Sequence, residues 1–177
     1  DVSGKQLTIT WTYHPKPLNT AVANSAIMIA TKFGMDVKLL CPDANYLLDK
    51  QFIDAAESNA AASGGSFQVT HDVDDGYGGA DVIYAKSWGA LPLYGKPEPA
   101  ITAAQQHQDF IVDEVKMKTT SNALFSHCLP LRRNVKATDE VMDSDYCVAI
   151  DEAENRLHVQ KAVMLNLLGI DKSEVQS

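Results

Sequence analysis

The 177-residue chain carries 15 basic and 23 acidic residues, so its formal net charge is −8, and a surface of that sign repels nucleic acid. Hydrophobic residues make up 45% of the chain and charged residues 21%, which is typical of a folded globular domain. No apolar run reaches the about 18 residues that a membrane-spanning helix needs, so we expect no membrane partner. The length suits one domain, which we assign to residues 1–177.

The first half of the chain alternates short apolar runs with segments of helical periodicity. Strands are predicted at residues 7–13, 36–41, 66–71 and 80–85, where β-branched and aromatic residues are frequent. Helices are predicted at residues 19–33 and 45–61, and glycine, which commonly ends a helix, follows each of them. Residues 75–79 contain glycine and are expected to form a short connection.

The second half opens with a predicted loop at residues 91–99, which hold three prolines and a glycine. Helices are predicted at residues 100–107, 113–119, 139–142 and 151–168, and strands at residues 123–127 and 146–150. Strands and helices that alternate at this spacing predict an α/β fold with an open, mostly parallel sheet and helices on both faces.

The last predicted helix is unusually apolar around its circumference. A helix that packs on one sheet face needs an apolar stripe only about 100° wide, and this helix exceeds that width. Two interpretations remain open: the helix packs against a missing domain or another subunit, or it lies at the centre of a larger layer.

Polar side chains cluster after the predicted strands, which is where ligands bind in open parallel sheets. Several are cations in an otherwise acidic protein, so an anionic ligand is expected at this edge. The residues that follow the predicted strands, polar and apolar together, are His14, Lys16, Lys86, Ser87, Trp88, His127, Cys128, Leu129, Pro130, Arg132, Arg133, Lys136, Asp151, Glu152 and Arg156.

Several known site types lack their signatures in this sequence. The glycine patterns of dinucleotide, P-loop and α/β-hydrolase sites are missing. The five histidines and three cysteines do not follow zinc-ligand spacing, so we expect no metal. Cysteines without paired spacing favour a reducing compartment, and a cytoplasmic location is therefore expected.

Two residues at this edge invite a chemical role. Cys128 follows His127, but neighbours on a strand point to opposite faces, so binding or packing is favoured over a nucleophile–base pair. The strand ends at Leu129-Pro130, and carbonyl oxygens there can accept hydrogen bonds from a substrate amine. Arg156 suits a phosphate or a developing oxyanion; an ion pair with a carboxylate at the helix start is an equal alternative.

Longer strings carry a family resemblance. HCLP at residues 127–130 and DEAENRLH at 151–158 resemble the amino-acid-binding domain of the ornithine and aspartate carbamoyltransferase family. WTYHPKP at 11–17, YAKSWG at 84–89 and LRRNVKATD at 131–139 resemble its acetylornithine branch. Ordinary ornithine enzymes carry Ser-Met-Gly where this chain has Lys86-Ser87-Trp88-Gly89, and a lysine there could pair with the α-carboxylate of an acylated ornithine.

The resemblance implies carbamoyl transfer from carbamoyl phosphate to the δ-amine of N-acetyl-L-ornithine, which yields N-acetyl-L-citrulline and phosphate in arginine biosynthesis, without a cofactor. Matched positions imply that Cys128, Leu129 and Arg156 contact carbamoyl phosphate and the attacking amine, and that Lys86 binds the acylated ornithine. His14 and Arg132 are further candidates. Lys136 matches a lysine that is carboxylated in this branch; an unmodified surface lysine is the alternative.

Family members also have a first, carbamoyl-phosphate domain with a Ser-x-x-Arg-Thr-Arg-like loop, and they assemble as homotrimers. This sequence lacks such a loop, and its start without methionine indicates a piece of something longer or a processed chain. We therefore expect residues 151–169 to pack against the missing domain, and the chain to be inactive alone. N-succinylornithine or ornithine as substrate, and a non-catalytic anion-binding module, remain alternatives; a cysteine-dependent hydrolase is disfavoured.

Overall fold

An open sheet of five parallel strands forms the centre of the protein, whose structure is a computed structural model describing residues 1–170. The strand order is β3-β2-β1-β4-β5. The strands are β1 Gln6–Trp11, β2 Asp36–Leu40, β3 Ser66–Thr70, β4 Val82–Lys86 and β5 Leu124–Ser126. In β1, the central strand, residues 8–11 are all buried, as expected when helices cover both faces of a parallel sheet.

Seven helices connect and flank the strands within residues 1–170. They are α1 Ala21–Lys32, α2 Lys50–Ser63, α3 Val73–Tyr77, α4 Pro97–Ala104, α5 Glu114–Met117, α6 Asp139–Met142 and α7 Ala149–Leu167. Short 3₁₀ turns lie at Ala44–Tyr46, Leu91–Leu93 and Gln105–Phe110.

The direction of each crossover decides which face a helix covers. The chain steps outward from β1 to β2 to β3, and right-handed crossovers put α1 and α2 on one face, where they pack together. The chain then returns across the sheet to β4, so α3 covers the opposite face. Thr8 of β1 marks that face, since its hydroxyl donates to the Gly76 carbonyl oxygen of α3 at 2.6 Å.

The predicted α/β fold is confirmed, but one predicted strand is wrong. Residues 146–150 do not form a strand: Cys147 makes only an isolated bridge with Phe125, and α7 begins at Ala149. Two backbone hydrogen bonds hold this segment to Phe125, whose N–H donates to Tyr146 and whose carbonyl accepts from Val148. The partner strand β5 has only three residues, which leaves too short an edge for a longer ladder.

Two predicted connections contain helical turns. Residues 75–79 belong partly to α3, whose start is capped by the Asp72 carboxylate accepting from the N–H groups of Asp74 and Asp75. The predicted loop at 91–99 contains a 3₁₀ turn, and α4 begins inside it at Pro97, because proline is favoured in the first turn of a helix.

Most of α7 stands clear of the sheet. Ala149 is its buried residue, whereas Leu157 is 54% exposed and Met164 56%. The predicted wide apolar surface is therefore an exposed face of the described domain. Residues 171–177, assigned above to the same domain, lie outside the described residues. No helix within residues 1–170 has both the length and the apolar character that crossing a membrane requires.

Candidate functional site

Cations meet at the carboxyl edge of the sheet, where β1, β4 and β5 end. Lys86 is the last residue of β4 and is only 8% exposed, while Lys136, after β5, is 3% exposed. Burial lowers the pKa of His14, and the charges of Lys136, Arg132 and Lys86 lower it further, although a hydrogen bond to the Lys16 backbone opposes them. The edge thus brings four predicted site residues within electrostatic range of one another.

Buried hydrogen bonds hold the segment that carries Lys86. The Trp88 indole donates to the Tyr46 carbonyl oxygen at 2.8 Å, and the Trp11 indole donates to the Trp88 carbonyl oxygen at the same distance. The Ser87 hydroxyl lies 3.1 Å from that of Thr12. Ser87 and Trp88 therefore belong to the interior, and Lys86 is the residue of this segment that faces the other cations.

His127 organises the next part of the edge. Its Nδ1 accepts a hydrogen bond from the Leu129 N–H at 2.8 Å, and its Nε2 lies 3.3 Å from Nζ of Lys136. Burial, with the charges of Lys136 and Lys86, lowers the pKa of His127 to about 3. The ring is therefore neutral near pH 7, and because Nδ1 accepts, Nε2 carries the ring proton.

The same surroundings act on Lys136. Burial, together with the charges of Lys86 and Arg132, lowers its pKa to about 8, although Cys128 opposes the shift. An ammonium group has only donors, so it cannot accept a hydrogen bond from the Nε2–H of His127. A neutral amine, or an amine converted into an acceptor, fits this position.

The turn after β5 exposes backbone carbonyl oxygens. Leu129 has a φ of +47° and is joined to Pro130 by a cis peptide bond. This φ is rare for a bulky residue, and the bond from its N–H to His127 holds the turn. Within residues 1–170, no hydrogen bond ends on the carbonyl oxygen of Cys128 or Leu129, so both remain available to a ligand.

Cys128 and Leu129 open into a cleft of about 720 Å³ between α1 and the start of α7. Arg156 lines the same cleft, so the structure brings together the three residues expected to contact carbamoyl phosphate. The ion pairs found in residues 1–170 do not include Arg156. The alternative of a helix-start ion pair is therefore not what the structure contains.

The neighbouring arginines after β5 differ in their surroundings. Arg133 pairs with Asp139 at 2.7 Å and with Asp143, so its charge is already balanced. Arg132 is exposed beside the cation cluster, and its charge affects both His14 and Lys136. Of the two, Arg132 is the one placed to meet a ligand.

The sequence patterns placed Glu152 at this edge but did not identify its hydrogen-bond partners. Glu152 of α7 accepts hydrogen bonds from the Tyr84 hydroxyl at 3.1 Å and from the Ser126 hydroxyl. The three residues lie in separate elements, and Tyr84 and Ser126 read as ordinary strand residues. The signal for Glu152 was its position directly after a predicted strand, at the start of a predicted helix. The described residues contain no group of three His, Cys, Asp or Glu side chains able to hold a metal ion.

Comparison with known proteins decides the family. The profile of the aspartate/ornithine carbamoyltransferase Asp/Orn-binding domain matches residues 5–167. The chain belongs to this family. The carbamoyltransferase domain spans about half the length of the curated relatives it matches.

Relatives of this carbamoyltransferase domain include N-acetylornithine carbamoyltransferases and ornithine carbamoyltransferases. An N-acetylornithine carbamoyltransferase of Xanthomonas campestris pv. campestris is 66% identical over 169 residues, which cover 96% of this chain and 50% of that protein. Its counterpart in Xylella fastidiosa is 64% identical over 94% of this chain and 50% of that protein. An ornithine carbamoyltransferase of Pyrococcus horikoshii is 42% identical over 84% of this chain and 46% of that protein.

Solved structures agree with this assignment. Acetylornithine transcarbamylase complexed with acetylcitrulline superimposes with a TM-score of 0.93 at 66% identity, over 94% of this chain and half of that one. A variant complexed with carbamyl phosphate and N-succinyl-L-norvaline gives the same TM-score, identity and coverage. The carbamoyltransferase fold expected from the sequence is therefore confirmed.

Proposed function

We propose that this domain forms the amino-acid-binding side of an N-acetylornithine carbamoyltransferase. The reaction transfers a carbamoyl group from carbamoyl phosphate to the δ-amine of N-acetyl-L-ornithine, and gives N-acetyl-L-citrulline and phosphate. The proposal includes a role in arginine biosynthesis in the cytoplasm and a homotrimeric complete protein. Relatives with 66% identity carry this name.

The surplus of cations at the carboxyl edge is the observation that carries the proposal. None of the ion pairs within residues 1–170 involves Lys86, Arg132, Lys136 or Arg156. Buried or grouped cations without carboxylate partners are costly unless a ligand balances them. A substrate carboxylate and a phosphate, which the proposed reaction brings together, supply that negative charge.

Each cation then takes one part of the substrates. Lys86, buried next to Lys136, binds the α-carboxylate of the acylated ornithine, and His14 and Arg132 border that site. Arg156, in the cleft with Cys128 and Leu129, binds the phosphate end of carbamoyl phosphate through its planar fork of donors.

The turn after β5 orients the attacking amine. The free carbonyl oxygens of Cys128 and Leu129 accept its N–H groups and direct its lone pair toward the carbamoyl carbon. Attack forms a tetrahedral oxyanion, and the C–O bond to phosphate then breaks as a proton of the attacking amine passes to an oxygen of the departing phosphate. Positioning and the cationic surroundings provide the rate enhancement, and no cofactor takes part.

Carboxylation of Lys136 is the second part of the proposal. The amine nitrogen attacks carbon dioxide and releases a proton, which requires a neutral amine. The lowered pKa of about 8 supports this step. A carbamate there accepts a hydrogen bond from the Nε2–H of His127 and balances the neighbouring charges of Lys86 and Arg132.

The exposed apolar side of α7 supports a third part, the packing of residues 151–169 against a carbamoyl-phosphate domain. Apolar surface of this kind, which includes Leu157 and Met164, normally marks an interaction site. The relatives are twice as long as the matched region, and their other half is the proposed occupant. The 177-residue protein alone then lacks the main phosphate grip and is expected to be inactive.

The test uses a complete polypeptide that joins this domain to a carbamoyl-phosphate half. Ureido-product formation is measured with carbamoyl phosphate and ornithine, N-acetylornithine or N-succinylornithine in parallel. We expect turnover with N-acetylornithine, loss of most of it in Lys86→Met, and little change in Lys32→Met, an exposed control. Turnover with free ornithine alone would contradict the role of Lys86 in binding an acylated ornithine. Absence of product with all three substrates would favour a non-catalytic anion-binding module.

A further inference from the structure

Glu152 joins two neighbouring strands to the first turn of α7. Tyr84 of β4 and Ser126 of β5 are directly paired in the sheet register, so their side chains lie next to each other on one face. Both hydroxyls donate to the Glu152 carboxylate, one to each oxygen, with 3.1 Å from the Tyr84 hydroxyl. Both acceptor oxygens are thereby engaged.

This contact matters because α7 has few others. Apart from Ala149, Glu152 and Leu165, its residues from 149 to 167 are exposed. Of the side-chain hydrogen bonds within residues 1–170, those of Glu152 are the ones that tie α7 to the sheet. The orientation of the first two turns therefore depends on this carboxylate.

The position of Arg156 depends on how the Glu152 carboxylate orients the start of α7. It comes four positions after Glu152, and residues at that spacing lie on the same side of a helix. Both side chains line the cleft that contains Cys128 and Leu129. Because the hydroxyls occupy Glu152, the guanidinium of Arg156 is left without an internal carboxylate and can meet an anion.

We infer that Glu152 is a positioning residue that holds Arg156 over Cys128 and Leu129, where it meets the phosphate group of carbamoyl phosphate. This assignment rests on the proposed function of the same cleft. Burial and the charge of Glu152 raise the pKa of Tyr84 well above its usual range, with Cys128 contributing. The Tyr84 hydroxyl consequently keeps its proton and stays a donor throughout the working pH range.

The first measurement compares steady-state kinetics of the complete polypeptide and its variants. In Glu152→Ala, we expect kcat/KM for carbamoyl phosphate to fall about tenfold or more, since small displacements of a binding group cost up to about 10²-fold. The KM for carbamoyl phosphate rises more than that for N-acetylornithine. Glu152→Gln, which keeps one carbonyl acceptor, recovers most of the loss.

Glu154→Ala is the matched control. Glu154 lies on the same helix and is exposed, with Nε2 of His158 3.6 Å from its carboxylate, so its removal is expected to change kcat/KM less than about twofold. Equal losses in Glu152→Ala and Glu154→Ala would overturn the inference, because a general effect of helix charge would then explain both.

A double-mutant cycle with Arg156→Ala is decisive. If Glu152 acts through Arg156, the double variant Glu152→Ala/Arg156→Ala is scarcely worse than Arg156→Ala alone. Losses that multiply would overturn the inference, since a purely structural role of Glu152 adds to that of Arg156. Should Glu152→Ala fail to fold, Tyr84→Phe/Ser126→Ala removes the donors instead, and the same cycle is expected.

Calorimetric binding of inorganic phosphate repeats the cycle without turnover. The same non-additive weakening is expected in the binding constant. If phosphate binding follows this pattern but no ureido product forms, the proposed function is wrong and the positioning role of Glu152 still stands. Phosphate binding that is unchanged in Glu152→Ala would remove the positioning role alone.

Discussion

Nζ of Lys136 lies 3.3 Å from Nε2 of His127 inside the domain, although the two residues flank an exposed turn. The imidazole is locked by the Leu129 N–H on its other nitrogen, so its proton points at the lysine. Two donors cannot face each other at this distance without loss of a hydrogen bond. This geometry supports the proposed conversion of the Lys136 amine into a hydrogen-bond acceptor.

We predict that Lys136 is carboxylated in bicarbonate buffer and that occupancy rises with pH. Its pKa is lowered to about 8, so the reactive neutral amine is scarce at about pH 6 and predominant at about pH 9. Intact mass under gentle, non-acidic conditions should gain one carbon dioxide as the pH rises. Lys136→Met should lose this added mass; a variant that keeps it would place the modification elsewhere.

Replacement of His127 tests the neutral imidazole through stability. Its pKa is about 3 in the folded protein against 6.5 for the free side chain, so below about pH 6.5 the unfolded chain binds a proton that the folded chain refuses. The neutral imidazole therefore contributes fully to the free energy of unfolding above pH 6.5. This stability is lost as the pH falls toward 3, at up to about 1.4 kcal/mol per pH unit.

His127→Gln should therefore make the free energy of unfolding in urea depend less on pH between about pH 5 and about pH 6.5. His158→Gln, a change at an exposed histidine of α7, is the control. An equally steep loss of stability in His127→Gln and in the unchanged protein would show that the imidazole does not contribute to acid sensitivity.

The apolar side of α7 predicts self-association of the 177-residue protein. It predicts a contribution to stability in the polypeptide that joins this domain to a carbamoyl-phosphate half. Leu157 and Met164 are seven positions apart on one side of the helix, and both are more than half exposed. Replacing both with Gln should reduce self-association of the 177-residue protein in sedimentation experiments. The same change in the complete polypeptide should lower its melting temperature, because α7 would lose its packing partner.

Gln160→Ala is the control for this experiment, since it alters an exposed polar residue of the same helix. It should leave both sedimentation and melting temperature nearly unchanged. If the double variant stabilises the complete polypeptide instead, α7 does not pack against the carbamoyl-phosphate half.

Local sequence patterns predicted most of the helices and strands, because their periodicity depends only on residues that are close in the sequence. Each of the strands β1 to β5 overlaps its predicted apolar run, and the bounds differ by two residues at most. The segment at residues 146–150 has the composition of a strand, yet only a bridge forms there. Whether it pairs depends on the length of β5, which the segment itself does not encode.

The sequence by itself determined the α/β class, the family and the edge at which the cations gather, since these follow from periodicity, strand order along the chain and long matching strings. Only the tertiary structure decided that Lys136 is buried against His127, that Arg133 is already paired, and that Glu152 binds Tyr84 and Ser126. Those contacts join residues distant in sequence, and their energies depend on burial and on distances of a few ångströms, which chain packing alone sets.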